Sequence, residues 1–130
     1  MKILLAEKSK DLVSALMLVI TQIKDTGVNK IDSVMHVDRV NNLYSKLKKE
    51  KPDVLIINGG FVNHKTREAM PVLQKLYPAM AILILSIDAG LEEKYQKIGI
   101  GNFILKGDSA ENFYNSMDSF LKKEQIKISR

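Results

Sequence analysis

Cysteine is absent from the 130 residues. Disulfides, thiolate zinc sites, cysteine-ligated iron–sulfur clusters and cysteine nucleophiles are therefore excluded. Histidine is scarce: His36 and His64 are the only two, too few for a histidine-rich metal site. No apolar run approaches the ~18 residues of a membrane span, and the opening MKILLAEKSK has too short an apolar stretch for a signal peptide. The expectation is a cytoplasmic protein with no membrane contact. No stretch rich in glycine, serine and proline divides the chain, and no repeat or low-complexity segment occurs. One domain over residues 1–125 with a short tail at 126–130 is expected.

What is present is ordinary for a globular domain: 45% hydrophobic and 27% charged residues. A chain of this length buries roughly two thirds of its unfolded surface, so it folds without a disulfide or metal. Twenty lysines and arginines face 15 acids, a net charge of +5. The cations are partly clustered, at Lys46, Lys48, Lys49 and Lys51 and at Lys122, Lys123, Lys127 and Arg130. Solvated helix ends explain such clusters without a polyanion. Seventeen of the 20 are lysines and three are arginines. Specific base or phosphate recognition favours arginine, so a nucleic-acid partner is disfavoured.

Short apolar runs alternate with helix-period segments. The runs are Ile3–Ala6, Val54–Ile57, Ala81–Leu85 and Phe103–Leu105. Continuous apolar runs suit strands covered on both faces, as in a parallel sheet. A weaker strand is expected over Lys30–Val37, at an edge. Leu12, Leu16, Val19 and Ile23 repeat at helical spacing, with Ser9 as the start. Val40, Leu43, Tyr44 and Leu47 mark a second helix with Asp38 as its N-cap. Ala69, Val72, Leu73 and Leu76 mark a third, with Pro71 in its first turn or at a kink. Leu91, Tyr95 and Ile98 mark a fourth, closed by Gly99 in the left-handed region. Phe113, Met117, Phe120 and Leu121 mark the last, opened by Asp108 or Ser109.

Five strand–helix repeats predict an α/β fold: a three-layer αβα sandwich on a five-stranded parallel sheet. Function in such sheets sits at the carboxyl ends of the strands. The residues there are Glu7, Lys8, Asn58, Ser86 and Lys106. No Ser–His–Asp arrangement or catalytic carboxylate pair can be assembled, so no catalytic residue is assigned and no enzyme is expected. Gly99-x-Gly101 precedes a strand, and Gly59-Gly60 lacks the later glycine and lysine of a phosphate loop.

Along essentially its whole length the chain resembles the receiver domain of two-component response regulators. The segments that carry the resemblance are KILLAEKS, PDVLIIN, ILILSI and GNFILKG. The resemblance implies the flavodoxin-like strand order 2-1-3-4-5. It also implies an acidic pair for Mg²⁺, a phosphoacceptor aspartate, a Ser or Thr and a Lys on the phosphoryl group, and a switch aromatic. Ser86, Lys106 and Phe103 match the last three. Asn58 stands at the acceptor position, Glu7 and Lys8 stand at the acidic pair, and Val62 replaces a common proline.

An amide is a poor phosphoacceptor, because its nitrogen lone pair is delocalised and its oxygen uncharged. Mg²⁺ wants hard anionic oxygens. Glu7, Lys8 and Lys106 sum to +1, and one ammonium about 4 Å from a dication repels it by roughly 8 kcal/mol at an effective dielectric near 20. Mg²⁺ is expected not to bind, and no other cofactor is implied. Lys8 is expected to act as an internal cation on Glu7 or the Asn58 carbonyl. The expected function is phosphorelay signalling by a non-phosphorylatable pseudo-receiver, as monomer or weak dimer. It would act on a signalling kinase or output protein through the fourth helix, fifth strand and fifth helix, with Lys94, Lys97, Asn112, Asn115 and Lys122 facing out. The alternatives are a phosphorelay receiver with an unconventional acceptor, a nucleic-acid-binding protein, and an anion held by Lys8, Lys106 and Ser86.

Overall fold

The apolar runs form strands because β-branched and leucine side chains on both faces find a covering helix layer. In the computed structural model the order is β1 Lys2–Ala6, α1 Lys10–Asp25, β2 Ser33–Val37, α2 Val40–Glu50, β3 Val54–Asn58, α3 His64–Leu76, β4 Ala81–Ser86, α4 Leu91–Lys97, β5 Asn102–Leu105 and α5 Ala110–Ile128. The structure describes residues 1–25, 30–59, 61, 64–107 and 109–129, and of residues 64–66 the backbone alone. Asp108, Val62 and the His64 side chain lie outside it.

All strand pairings are parallel, in the order β2-β1-β3-β4-β5. This is the flavodoxin-like order that the resemblance to receiver domains implies. Alternate residues of each central strand feed two cores. Ile3, Leu5, Val54, Ile56, Leu83 and Leu85 pack on Leu16, Ile20, Met117 and Leu121 of α1 and α5. Leu4, Leu55, Ile57, Ile82 and Ile84 pack on Leu43, Leu47, Met70 and Tyr95 of α2, α3 and α4. Each buried aliphatic contributes about 1.5–3 kcal/mol, which outweighs surface ion pairs of about 0–1 kcal/mol. The ion pairs within α2, α4 and α5, such as Lys97–Glu93, are ornaments on that base.

Helix ends follow local chemistry. Ser9 Oγ accepts the Leu12 N–H at 3.2 Å, and Ser109 Oγ accepts the Asn112 N–H at 3.1 Å. Gly99 takes φ +90° after α4, as its placement predicts. Asp38 is not the cap of α2. Arg39 holds that place, in extended backbone and without a side-chain bond. Asp38 lies one residue too early to reach the first free N–H groups. Pro71 sits inside α3 rather than in its first turn, so the Arg67 carbonyl has no N–H donor one turn on. The weak strand is shorter than expected, Ser33–Val37, and is an edge strand. Helix α5 runs to Ile128, past the boundary expected at 125. Buried Leu121 and Glu124 tether its last turns. Among the described residues no helix is long and apolar enough to cross a membrane.

Candidate functional site

The strand register builds the site. Ala6 pairs with Ile57, so the next residues, Glu7 and Asn58, emerge side by side where the sheet order reverses. Asn58 pairs with Leu85, and Ser86 pairs with Leu105. Ser86 and Lys106 therefore come up beside Asn58 on the other flank. Backbone bonds fix these ends: Gly59 N–H to Leu85 O at 2.6 Å, Lys106 N–H to Ser86 O at 2.7 Å, and Glu7 N–H to Val37 O at 3.1 Å.

Asn58 joins two charges of opposite sign. Its Nδ2 donates to Glu7 Oε2, and its Oδ1 accepts from Lys106 Nζ at 2.9 Å. A carboxylate only accepts and an ammonium only donates, so the amide has one orientation that satisfies both. Glu7 is 4% exposed, and its Oε1 accepts the Ser9 N–H at 3.0 Å. Both oxygens of this buried carboxylate are thus occupied by donors, as a charge out of water requires. His36, on the edge strand β2, donates from Nε2 to the Glu7 carbonyl at 2.9 Å.

Ser86 is 4% exposed. Its Oγ accepts the Asp88 N–H at 3.0 Å, and Asp88 Oδ1 accepts the Gly90 N–H at 2.9 Å. The loop after β4 is thereby tied to the strand end. Gly59 lies against Ser86: a Cβ there would meet Leu85 O, Ser86 Cβ and Ser86 Oγ, each at 3.3 Å. Phe103 is half-buried and packs on Tyr95, with ring centroids 6.4 Å apart and tilted by 41°. Burial raises the Tyr95 phenol above its usual range, an effect that the Arg67 charge opposes.

The structure thus brings Glu7, Asn58 and Lys106 into one hydrogen-bonded chain, with Ser86 against Gly59. It does not bring Lys8 in. Lys8 is exposed, and among the described residues it makes no ion pair with Glu7 and no bond to Asn58. The expected internal cation is Lys106, not Lys8. The reason is geometric: Glu7 follows the last residue of β1 with its side chain buried, and the side chain of the next residue, Lys8, is turned out to solvent. Three participants escaped the sequence reading: the Ser9 N–H, the His36 ring and the Gly59 contact. A helix-capping serine two residues after Glu7 was a visible signal for the first. The other two depend on register.

No protein-family model matches the chain, and no curated protein matches it by sequence. Solved structures do match in fold. The isolated REC domain of RcsB from Salmonella enterica serovar Typhimurium, in the presence of phosphomimetic BeF3⁻, superposes with TM-score 0.77 at 15% identity, over 96% of this chain and 91% of that one. RcsB bound to promoter rprA gives TM-score 0.76 at 17% identity, over 99% of this chain and 66% of that one. The signal receiver domain of the DNA-binding response regulator protein merR from Colwellia psychrerythraea gives TM-score 0.74 at 10% identity, over 93% and 98%. Strand order, layer arrangement and these superpositions together establish that the chain has the receiver fold of the flavodoxin-like α/β class.

Proposed function

We propose that this chain is a pseudo-receiver of two-component, phosphorelay signalling, in which neither Mg²⁺ nor a phosphoryl group acts and which works by binding a protein. The observation that carries this is the Glu7–Asn58–Lys106 chain. In a phosphorylatable pocket, neighbouring carboxylates repel one another and a dication neutralises them. Here the Asn58 amide takes that place: it meets Glu7 with an N–H and Lys106 with an oxygen. Among the described residues Glu7 is the sole acid of the hydrogen-bonded chain, and its oxygens already accept from Ser9 and Asn58. These residues do not fit Mg²⁺. Among the described residues no group of three metal-ligating side chains stands together. Asn58 presents no charged oxygen to a phosphoryl donor.

A module without a chemical trigger acts through its surface, as a signalling part rather than an enzyme, and a cytoplasmic one. The face made by α4, β5 and α5 offers exposed Lys94, Lys97, Asn112 and Asn115, while Lys122 pairs with Asp118 at 2.8 Å. A kinase or output protein with an acidic patch would complement the two exposed α4 lysines, of which Lys97 has a loose 3.6 Å pair with exposed Glu93. The test is to incubate the protein with a small phosphodonor and Mg²⁺ and weigh it intact. An unchanged mass is expected. A phosphoryl adduct that disappears in Asn58→Ala overturns the reading.

A further inference from the structure

Asn58–Gly59 is the single Asn–Gly pair in the chain. Such pairs lose ammonia by an internal reaction. The glycine nitrogen attacks the asparagine Cγ, the Cγ–Nδ2 bond breaks, and ammonia leaves. Water then opens the cyclic imide at one carbonyl or the other, giving aspartate or isoaspartate. Glycine permits this because no Cβ hinders the approach of its nitrogen. Three freedoms are required: the glycine N–H must be free to ionise, Cγ must swing onto that nitrogen, and Nδ2 must be able to depart.

The pocket withholds all three. The Gly59 N–H is held by Leu85 O at 2.6 Å. Lys106 Nζ holds Oδ1 at 2.9 Å and the Glu7 carboxylate holds Nδ2, so Cγ is pinned from both sides. Gly59 is also pressed on β4, where an added Cβ would come within 3.3 Å of Leu85 O and of Ser86. The backbone rotation that closes the imide ring would break the Leu85 bond.

We infer that Asn58 is a latent deamidation site gated by the pocket: the fold keeps this pair inert, and Asn58 becomes a carboxylate only when the end of β3 releases β4. Conversion puts a negative charge against Glu7, which removes the amide donor that Glu7 uses and repels its carboxylate. The change is one-way, so a single opening long enough for reaction leaves a permanent mark. This inference rests on the hydrogen bonds alone and stands apart from the docking reading.

The test holds the full chain at mildly alkaline pH, folded in one sample and unfolded in guanidinium chloride in another. Peptide mapping follows residue 58, with Asn115–Ser116 on exposed α5 as internal reference. Deamidation at Asn58 is expected to be slower in the folded chain by at least about 30-fold, the factor given by two ordinary hydrogen bonds that must open first. Lys106→Met, verified as folded by circular dichroism, is expected to shrink that factor several-fold. Equal rates in the folded and unfolded samples overturn the inference. So does a folded Lys106→Met protein that deamidates no faster than the parent.

Discussion

Lys106 donates to the side-chain carbonyl of Asn58 at 2.9 Å, across the sheet ends of β5 and β3. The bond uses the one oxygen that Asn58 has, and the amide nitrogen is committed to Glu7. A cation and an anion are thus joined through a neutral group that satisfies both. The consequences can be tested by changing each member in turn.

A second acid in the cluster is expected to give it affinity for a dication. Asn58→Asp removes the amide that joins Glu7 to Lys106 and takes the formal charge of positions 7, 58 and 106 from 0 to −1. Calorimetry is expected to detect weak Mg²⁺ binding on Asn58→Asp and none on the parent. Lys8 is exposed and outside the hydrogen-bonded chain, so Lys8→Ala added to that variant is expected to change the affinity little. An Asn58→Asp protein indifferent to Mg²⁺ would show that the amide is not what excludes the ion.

Glu7→Gln is expected to cost more stability than Lys106→Met. The new amide must point its NH₂ at either the Ser9 N–H or the Asn58 amide, leaving a buried donor unsatisfied at about 1–3 kcal/mol. Flipping Asn58 only moves the mismatch to Lys106. Lys106 is half-exposed, so water replaces its bond for about 1 kcal/mol or less. Denaturant midpoints give the order directly. The reverse order would make Lys106 the anchor of the cluster.

Gly59→Ala is expected to destabilise by about 1–3 kcal/mol, the range for forcing an atom into a packed contact. The added Cβ would stand 3.3 Å from Leu85 O and from the Ser86 side chain. Resonances of Ser86 and Lys106 are expected to shift with it, since both flank the contact. A thermal midpoint equal to the parent's would mean that β3 and β4 separate there at little cost.

Tyr95 is expected to ionise above the usual tyrosine range. Its folded-state pKa is raised above the usual 10.0, because burial disfavours the phenolate. The stability linked to it is fully present below the unfolded value and is lost as pH rises through the folded value. Absorbance of the phenolate is expected to show a late step that coincides with loss of near-ultraviolet dichroism. Tyr95→Phe removes that step. A late step that survives the substitution would assign it to another tyrosine.

Much of the fold could be read from the chain because its strands are short and apolar on both faces. Ile3–Ala6, Val54–Ile57, Ala81–Leu85 and Phe103–Leu105 all lie within observed strands. The edge strand was read too long, because an edge has one neighbour and carries a weaker hydrophobic signature. Asp38 was read as a cap because residue type, not backbone, is visible in a sequence. The site was legible as a set of strand-end residues, and Glu7, Asn58, Ser86 and Lys106 do converge. Lys8 was misplaced: adjacency along the chain is not adjacency in space when side chains alternate across a strand.

By itself the sequence determined the layering, the parallel sheet and the absence of a charged oxygen at position 58. Those follow from apolar periodicity and from the chemistry of single residues. Only the tertiary structure decided which cation meets Asn58, that the His36 ring bonds the Glu7 carbonyl, and that Gly59 is wedged on Ser86. Each of these is a matter of strand register and of distances near 3 Å between residues dozens of positions apart. A hydrogen bond loses its strength within fractions of an ångström, so a linear pattern names the partners on offer and only packing selects the pair.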